Sequence, residues 1–222
     1  MKNISSEQHR VEQGMAGSQA SSVDAKAAFF NALKTVLVMI VVSAGVNGII
    51  QFDVYFENGI SEASLTENTQ LLCLAIAFIS FARIAHYRPD LKNALALACG
   101  LFAVMFVRET DNTLDFIVHG FWKYPATLVV LIAIGYALSN RKNLIAQMAV
   151  LANSKSVNLV IASIILLIVF SRLFGMATLW KTVMGDDYVR LAKSIAEEGT
   201  ELLAYALIAV TSIKTLREFK RS

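Results

Sequence analysis

The chain has 222 residues, of which 56% are hydrophobic and 17% are charged, and its mean hydropathy is +0.56. This composition excludes a soluble globular domain, which carries about 25% charged residues, and a disordered chain, which lacks long apolar runs. Because the net charge is only +3, its distribution along the chain matters more than its size. We expect membrane lipid, and no nucleic acid, as a partner.

The chain begins with a polar segment, residues 1–28, which is rich in Ser, Gln, Ala and Gly. It lacks an apolar periodicity that could fold, so we predict a disordered cytoplasmic tail. The first apolar run, residues 29–50, resembles a signal peptide at Ser43, Ala44 and Gly45. A membrane span is the better interpretation, because the polar leader is long and the run continues past these small residues.

Five further apolar runs follow, and each can supply a membrane helix, since about 20 residues cross ~30 Å of hydrocarbon. They cover residues 70–81 (extendable to 87), 93–112, 125–138, 157–176 and 195–213. Pro89 is predicted to break the chain between the second and third helices, and Pro125 suits the first turn of the fourth. The sequence thus predicts an all-α bundle of about six transmembrane helices over residues 29–216, followed by a basic cytoplasmic tail, residues 217–222.

The charges predict an orientation for this bundle. With a cytoplasmic N-terminus, 14 of the 20 basic residues fall on the cytoplasmic side and 12 of the 17 acidic residues on the other. Trp122, Tyr124, Trp180 and Tyr188 then lie at the outer boundary, as an interfacial aromatic belt would. We therefore expect both termini in the cytoplasm and the bundle in a plasma membrane or bacterial inner membrane.

A first polar stripe lies between the third and fourth apolar runs. On one α-helix, six of its side chains would share a face. These are Arg108, Asp111, Asn112, Asp115, His119 and Trp122. Glu109, which follows Arg108 in the sequence, belongs to the same candidate site. Ionisable groups at this depth cost about 2 to 4 kcal/mol each unless they are paired, hydrated or turned into the bundle. The stripe is therefore a candidate site, although an interfacial turn with charges in headgroup water explains it equally well.

A second polar stripe lies in the last apolar run, where Glu197, Glu198, Glu201 and Tyr205 share one helical face. Counting back about 20 residues from Lys214, where the basic tail begins, places Glu201 and Glu198 in the outer half of the membrane. Buried glutamates at such depth are typical of a functional site. Because both stripes lie on the same side at similar depth, we expect them to meet.

Three kinds of chemistry remain open for the combined site. Asp115, His119, Glu198 and Glu201 together would suit a divalent metal such as Mg²⁺, Mn²⁺ or Fe²⁺. Clustered carboxylates without a metal would suit a proton or ion path. Alternatively, Arg108 pairs with Glu198 or Glu201 and only fixes the helix register.

The sequence contains no P-loop, no G-x-S-x-G elbow, no H-E-x-x-H and no C-x-x-C. The leading hypothesis is a small ion- or proton-coupled transporter with an outward-facing acidic site. The inner halves of the spans are almost wholly apolar and offer few groups to conduct an ion onward, which counts against this hypothesis. One alternative is a membrane-embedded, metal-dependent enzyme acting on a lipid-like substrate. Another is a non-catalytic membrane subunit or scaffold. We also leave open whether the chain assembles as a homo-oligomer or with a partner membrane subunit.

Overall fold

A computed structural model describes the backbone of residues 4–56 and 64–221, and the side chains of residues 25–56 and 64–221. The structure is 91% helical, and the described residues form no strand, so the predicted all-α class is confirmed. Among the described residues, five helices are long and apolar enough to cross a membrane, and a sixth is counted if one bent helix pair forms a single span.

The helices follow one another with short connections. They are α1 (Ile4–Phe56), α2 (Leu65–Tyr87), α3 (Lys92–Glu109), α4 (Asp111–Asp115), α5 (Lys123–Leu138), α6 (Arg141–Ala152), α7 (Lys155–Leu166), α8 (Arg172–Gly175), α9 (Ala177–Met184) and α10 (Arg190–Arg221). A 3-10 turn at Pro89–Leu91 precedes α3, and a π-helix at Leu167–Ser171 joins α7 to α8. Pro89 and Pro125 lie where the sequence places them, at a helix break and in the first turn of α5.

The chain divides into two compact units, Met1–Ala44 and Gly45–Ser222. The first unit consists of the beginning of α1, which starts at Ile4. Most of residues 1–28, the predicted disordered tail, is therefore helical in the structure. Ala and Gln make up eight of these 28 residues and favour helix, although apolar periodicity is lacking.

In the second unit, the fourth predicted span is short. α5 has 16 residues, which correspond to about 24 Å of helix, and α6 leaves it at 103°. Two buried amides hold this corner. Asn93 donates to the main-chain oxygen of Tyr136 at 3.0 Å, and the Gln147 side-chain oxygen accepts from the main-chain N–H groups of Asn93 and Ala94 at 3.1 and 3.0 Å. The beginning of α3 is therefore capped by α6.

The pairing of α2 with α10 forms the centre of the second unit. The buried residues of α2 recur at Thr66, Gln70, Cys73, Ala77, Ser80 and Ile84, and those of α10 at Glu201, Tyr205, Ile208, Ser212, Thr215 and Phe219. Both sets alternate steps of four and three residues, which is the spacing of helices that pack along their whole length.

The two helices run parallel. Near their N-terminal ends Gln70 contacts Glu198, and near their C-terminal ends the Lys220 ammonium lies 5.7 Å from the ring centre of Tyr87. α3 packs on α2 and α5, while α7 packs on α10.

The approach of α3 to α5 depends on a glycine. A Cβ atom at Gly100 would collide with the Cβ atom of Ala133 on α5, whereas one at Gly135 would meet no atom within 4 Å. Both glycines are helical, so alanine is conformationally acceptable at each position.

We therefore expect Gly100→Ala to lower the free energy of unfolding by about 1 to 3 kcal/mol, because overpacking forces α3 away from α5. Gly135→Ala is the matched control and should be neutral or stabilising by up to about 1 kcal/mol. Unfolding in detergent micelles measures both variants. Equal stability of the two would contradict the close packing of α3 on α5.

Candidate functional site

The candidate site is built around Glu201, which is only 4% exposed on the face of α10 that packs on its neighbours. The Ser171 hydroxyl donates a hydrogen bond to Glu201 Oε1. Ser171 is the last residue of the π-helix Leu167–Ser171. Such widened turns re-aim side chains and often lie at functional sites, and this one brings a hydroxyl to a buried carboxylate.

Glu198 lies one helical turn before Glu201 and is bound from α2. The Gln70 side-chain amide donates through Nε2 to Glu198 Oε2 at 3.1 Å and to the Glu198 main-chain oxygen at 3.3 Å. Gln70 is completely buried, and its Oε1 atom has no hydrogen-bond partner among the described residues. An unpaired buried polar atom costs about 1 to 3 kcal/mol, so this oxygen needs an explanation.

Glu109, the last residue of α3, connects α3 to α10. Its Oε1 atom lies 2.7 Å from the Arg108 guanidinium and accepts a hydrogen bond from the Tyr205 hydroxyl, also at 2.7 Å. Tyr205 is only 2% exposed, whereas half of the Arg108 side chain is exposed. The polar residues at the end of α3 therefore meet those of α10 through Glu109 and Tyr205.

Glu197 points to a different neighbour. Its carboxylate lies 2.5 Å from the Lys193 ammonium, one turn earlier on α10. A Cβ atom at Gly175 would collide with the Glu197 carboxylate, so glycine leaves room for this ion pair beside α8. Glu197 is thereby neutralised locally.

The single α-helix on which residues 108–122 would share a face is not formed. α3 ends at Glu109, and α4 stops at Asp115. The chain then turns through Gly120, whose φ of +82° lies in the left-handed region that favours glycine. Asp115 accepts from the Gly120 main-chain N–H at 2.9 Å, and His119 Nδ1 lies 3.0 Å from Asp115 Oδ2.

These contacts hold Asp115 and His119 together in a turn, with the His119 side chain fully exposed. Asp111, in the short α4, accepts from the Asn112 main-chain N–H at 2.7 Å.

In the part of the chain that the structure describes, no three His, Cys, Asp or Glu residues come together in an arrangement that could hold a metal ion. Asp115, His119, Glu198 and Glu201 therefore do not form one such group.

Sequence reasoning did not select Gln70 or Ser171. Gln70 is a polar residue that begins the second apolar run and lies on its buried face, which is a usable signal. Ser171 has no comparable signal, because serine is common in membrane helices and its direction here depends on the π-helix.

Asp53, at the end of α1, has a structural role. It is buried, and it accepts from the main-chain N–H groups of Leu65 and Thr66 at 3.0 and 2.8 Å. It thus caps the beginning of α2.

No known protein family, no curated protein and no solved structure matches the chain. The function is therefore inferred from the residues and their contacts.

The Tyr205 hydroxyl tests the connection between α3 and α10. We expect Tyr205→Phe to lower the free energy of unfolding by about 1.5 to 3 kcal/mol, because the hydrogen bond to the charged Glu109 is lost while the buried ring remains. Tyr124→Phe is the control, since Tyr124 is 71% exposed, and it should change stability by less than about 0.5 kcal/mol. Chemical unfolding in micelles gives both values, and a neutral Tyr205→Phe would mean that Glu109 and Tyr205 do not connect the helices.

Proposed function

We propose that the chain is a multi-pass membrane protein that acts as a small ion- or proton-coupled transporter, with Glu201 and Glu198 as the cation-binding groups. One observation carries the proposal: Glu201 is almost completely buried in a helix long enough to cross a membrane. Carboxylates in such positions are typical of ion and proton pathways.

The balance of charge supports a cationic ligand. Glu109 is paired with Arg108 and Glu197 with Lys193. Glu198 and Glu201 receive hydrogen bonds from the neutral groups of Gln70 and Ser171, and neither forms a salt bridge with a described basic residue. Two carboxylates without a paired cation are costly in a low-dielectric interior, and a bound proton or cation removes that cost.

Polar groups also continue along α10 beyond the acidic site. Ser212 and Thr215 are completely buried on the same face as Glu201, and Ser80 of α2 is 4% exposed. The Ser212 hydroxyl oxygen has no hydrogen-bond partner among the described side and main chains. The inner half of the bundle is therefore less apolar than its sequence indicates, although the fully buried Ile208 lies between Glu201 and Ser212.

A specific observation also favours the second candidate, a non-catalytic membrane subunit or scaffold. Arg108, Glu109 and Tyr205 form a continuous chain of ionic and hydrogen-bonded contacts that ties α3 to α10. This arrangement is sufficient to fix helix register. It leaves Glu198 and Glu201 unexplained, and for that reason we prefer transport.

Ion flux in proteoliposomes tests the transport function. With an imposed gradient, we expect the wild type to move protons, followed by a pH-sensitive dye, or sodium, followed by a radioactive tracer. Glu201→Gln should reduce the flux to that of empty liposomes, because the amide keeps the shape of the side chain but carries no negative charge and does not take up a proton.

Glu218→Gln provides the matched control, since it makes the same change at an exposed position of the same helix, and it should transport like the wild type. Wild-type flux of both ions equal to that of empty liposomes would eliminate transport. Unchanged flux in Glu201→Gln would eliminate Glu201 as the binding group.

We further propose that both termini are cytoplasmic in a plasma membrane or bacterial inner membrane, with the acidic site toward the outside. The excess of basic residues on the side of the termini supports this orientation.

Thiol labelling tests this orientation after Cys73 and Cys99, which are free, have been replaced by alanine. A membrane-impermeant maleimide should label Tyr124→Cys in intact cells, and Glu218→Cys only after permeabilisation. The reverse pattern would invert the topology.

A further inference from the structure

The unpaired Gln70 oxygen identifies the chemistry of the ligand. The orientation of the Gln70 amide is fixed, because Nε2 faces two acceptors, the Glu198 Oε2 atom and the Glu198 main-chain oxygen. The reversed amide would direct an oxygen at both of these acceptors. Oε1 is therefore an acceptor, buried and without a donor among the described residues.

A primary amide and a carboxylic acid are complementary. The amide N–H donates to one carboxyl oxygen, and the acid O–H, on the other oxygen, donates back to the amide oxygen. The first of these bonds is present between Gln70 Nε2 and Glu198 Oε2. The second requires a proton on Glu198 Oε1, and it would give Gln70 Oε1 the donor that it lacks.

We infer that Gln70 is a binding residue for the protonated form of Glu198, and that the cation of this site is a proton. The inference rests on the proposed function and names its ion. A hydronium ion on the side of the acidic site gives up the proton and becomes water, and the proton forms an O–H bond with Glu198 Oε1. An ionised Glu198 leaves Gln70 Oε1 unpaired beside a carboxylate, so the pair discriminates between the two charge states.

Other charged groups surround the pair. From α3, Arg108 and Glu109 interact electrostatically with Glu198, and Glu197 and Glu201 do so from α10. From α2 the facing group is Gln70 itself, and from the π-helix the hydroxyl of Ser171 contacts Glu201. Glu198 therefore lies among three other carboxylates and one guanidinium group.

Infrared difference spectroscopy of the full-length protein in lipid tests this inference without a transport assay. As the pH is lowered, the wild type should gain a carboxylic acid carbonyl band that Glu198→Gln removes. In Gln70→Met this band should move to higher frequency, because the acid loses its hydrogen bonds to the amide. Gln70→Asn, which withdraws the amide by one methylene, should shift the band in the same direction and provides a second variant if Gln70→Met folds poorly.

Gln147→Met is the matched control, since it removes another buried glutamine amide away from Glu198, and it should leave the band in place. Absence of a Glu198 band over the whole pH range, or a band that neither Gln70 variant shifts, would overturn the inference. Loss of the band at constant pH when sodium or potassium is added would assign the site to an alkali cation and overturn it too. A normal band without flux in liposomes would contradict transport alone, so the two failures are distinguishable.

Discussion

The parallel packing of α2 on α10 is the constraint on which the rest of the second unit depends. Both helices bury residues at alternating steps of four and three, so moving one along the other by a single residue would rotate its buried face by about 100° away from the partner. The register is defined at one end by Gln70 against Glu198 and at the other by Tyr87 against Lys220. The acidic site is therefore placed by packing along the full length of two helices.

Polar residues at these packing positions are unfavourable for stability alone. Apolar residues in place of Gln70, Glu201 and Tyr205 would fill the same space without desolvating a charge or an amide. Each polar group here has a specific partner on another element: Glu198 for Gln70, Ser171 for Glu201 and Glu109 for Tyr205. A bundle that only needed to fold would not require these three pairs, and they agree with the cation-binding role that we propose for Glu198 and Glu201.

The sequence predicts the helices well because a span is a local property: about 20 apolar residues must be consecutive. It also predicts a depth for Glu201, since depth follows from counting along one helix. The end of α3 was not predictable in the same way, because the turn through Gly120 and the pairing of Asp115 with His119 depend on tertiary placement. The contact of Gln70 with Glu198 joins positions 128 residues apart, and no local pattern contains that register.

The transport that we propose would require movement beside α10. Glu201 and Ser212 lie on one face of α10 with the fully buried Ile208 between them, so the two polar regions are separated by an apolar layer. The π-helix at Leu167–Ser171 packs beside α10 and contributes Ser171 to Glu201. If this turn became α-helical, residues on one side of it would rotate by about 100° relative to the other. This rotation would both release Glu201 from Ser171 and alter the packing of α7 on α10, so binding at the carboxylate and opening past Ile208 would be coupled through the π-helix alone.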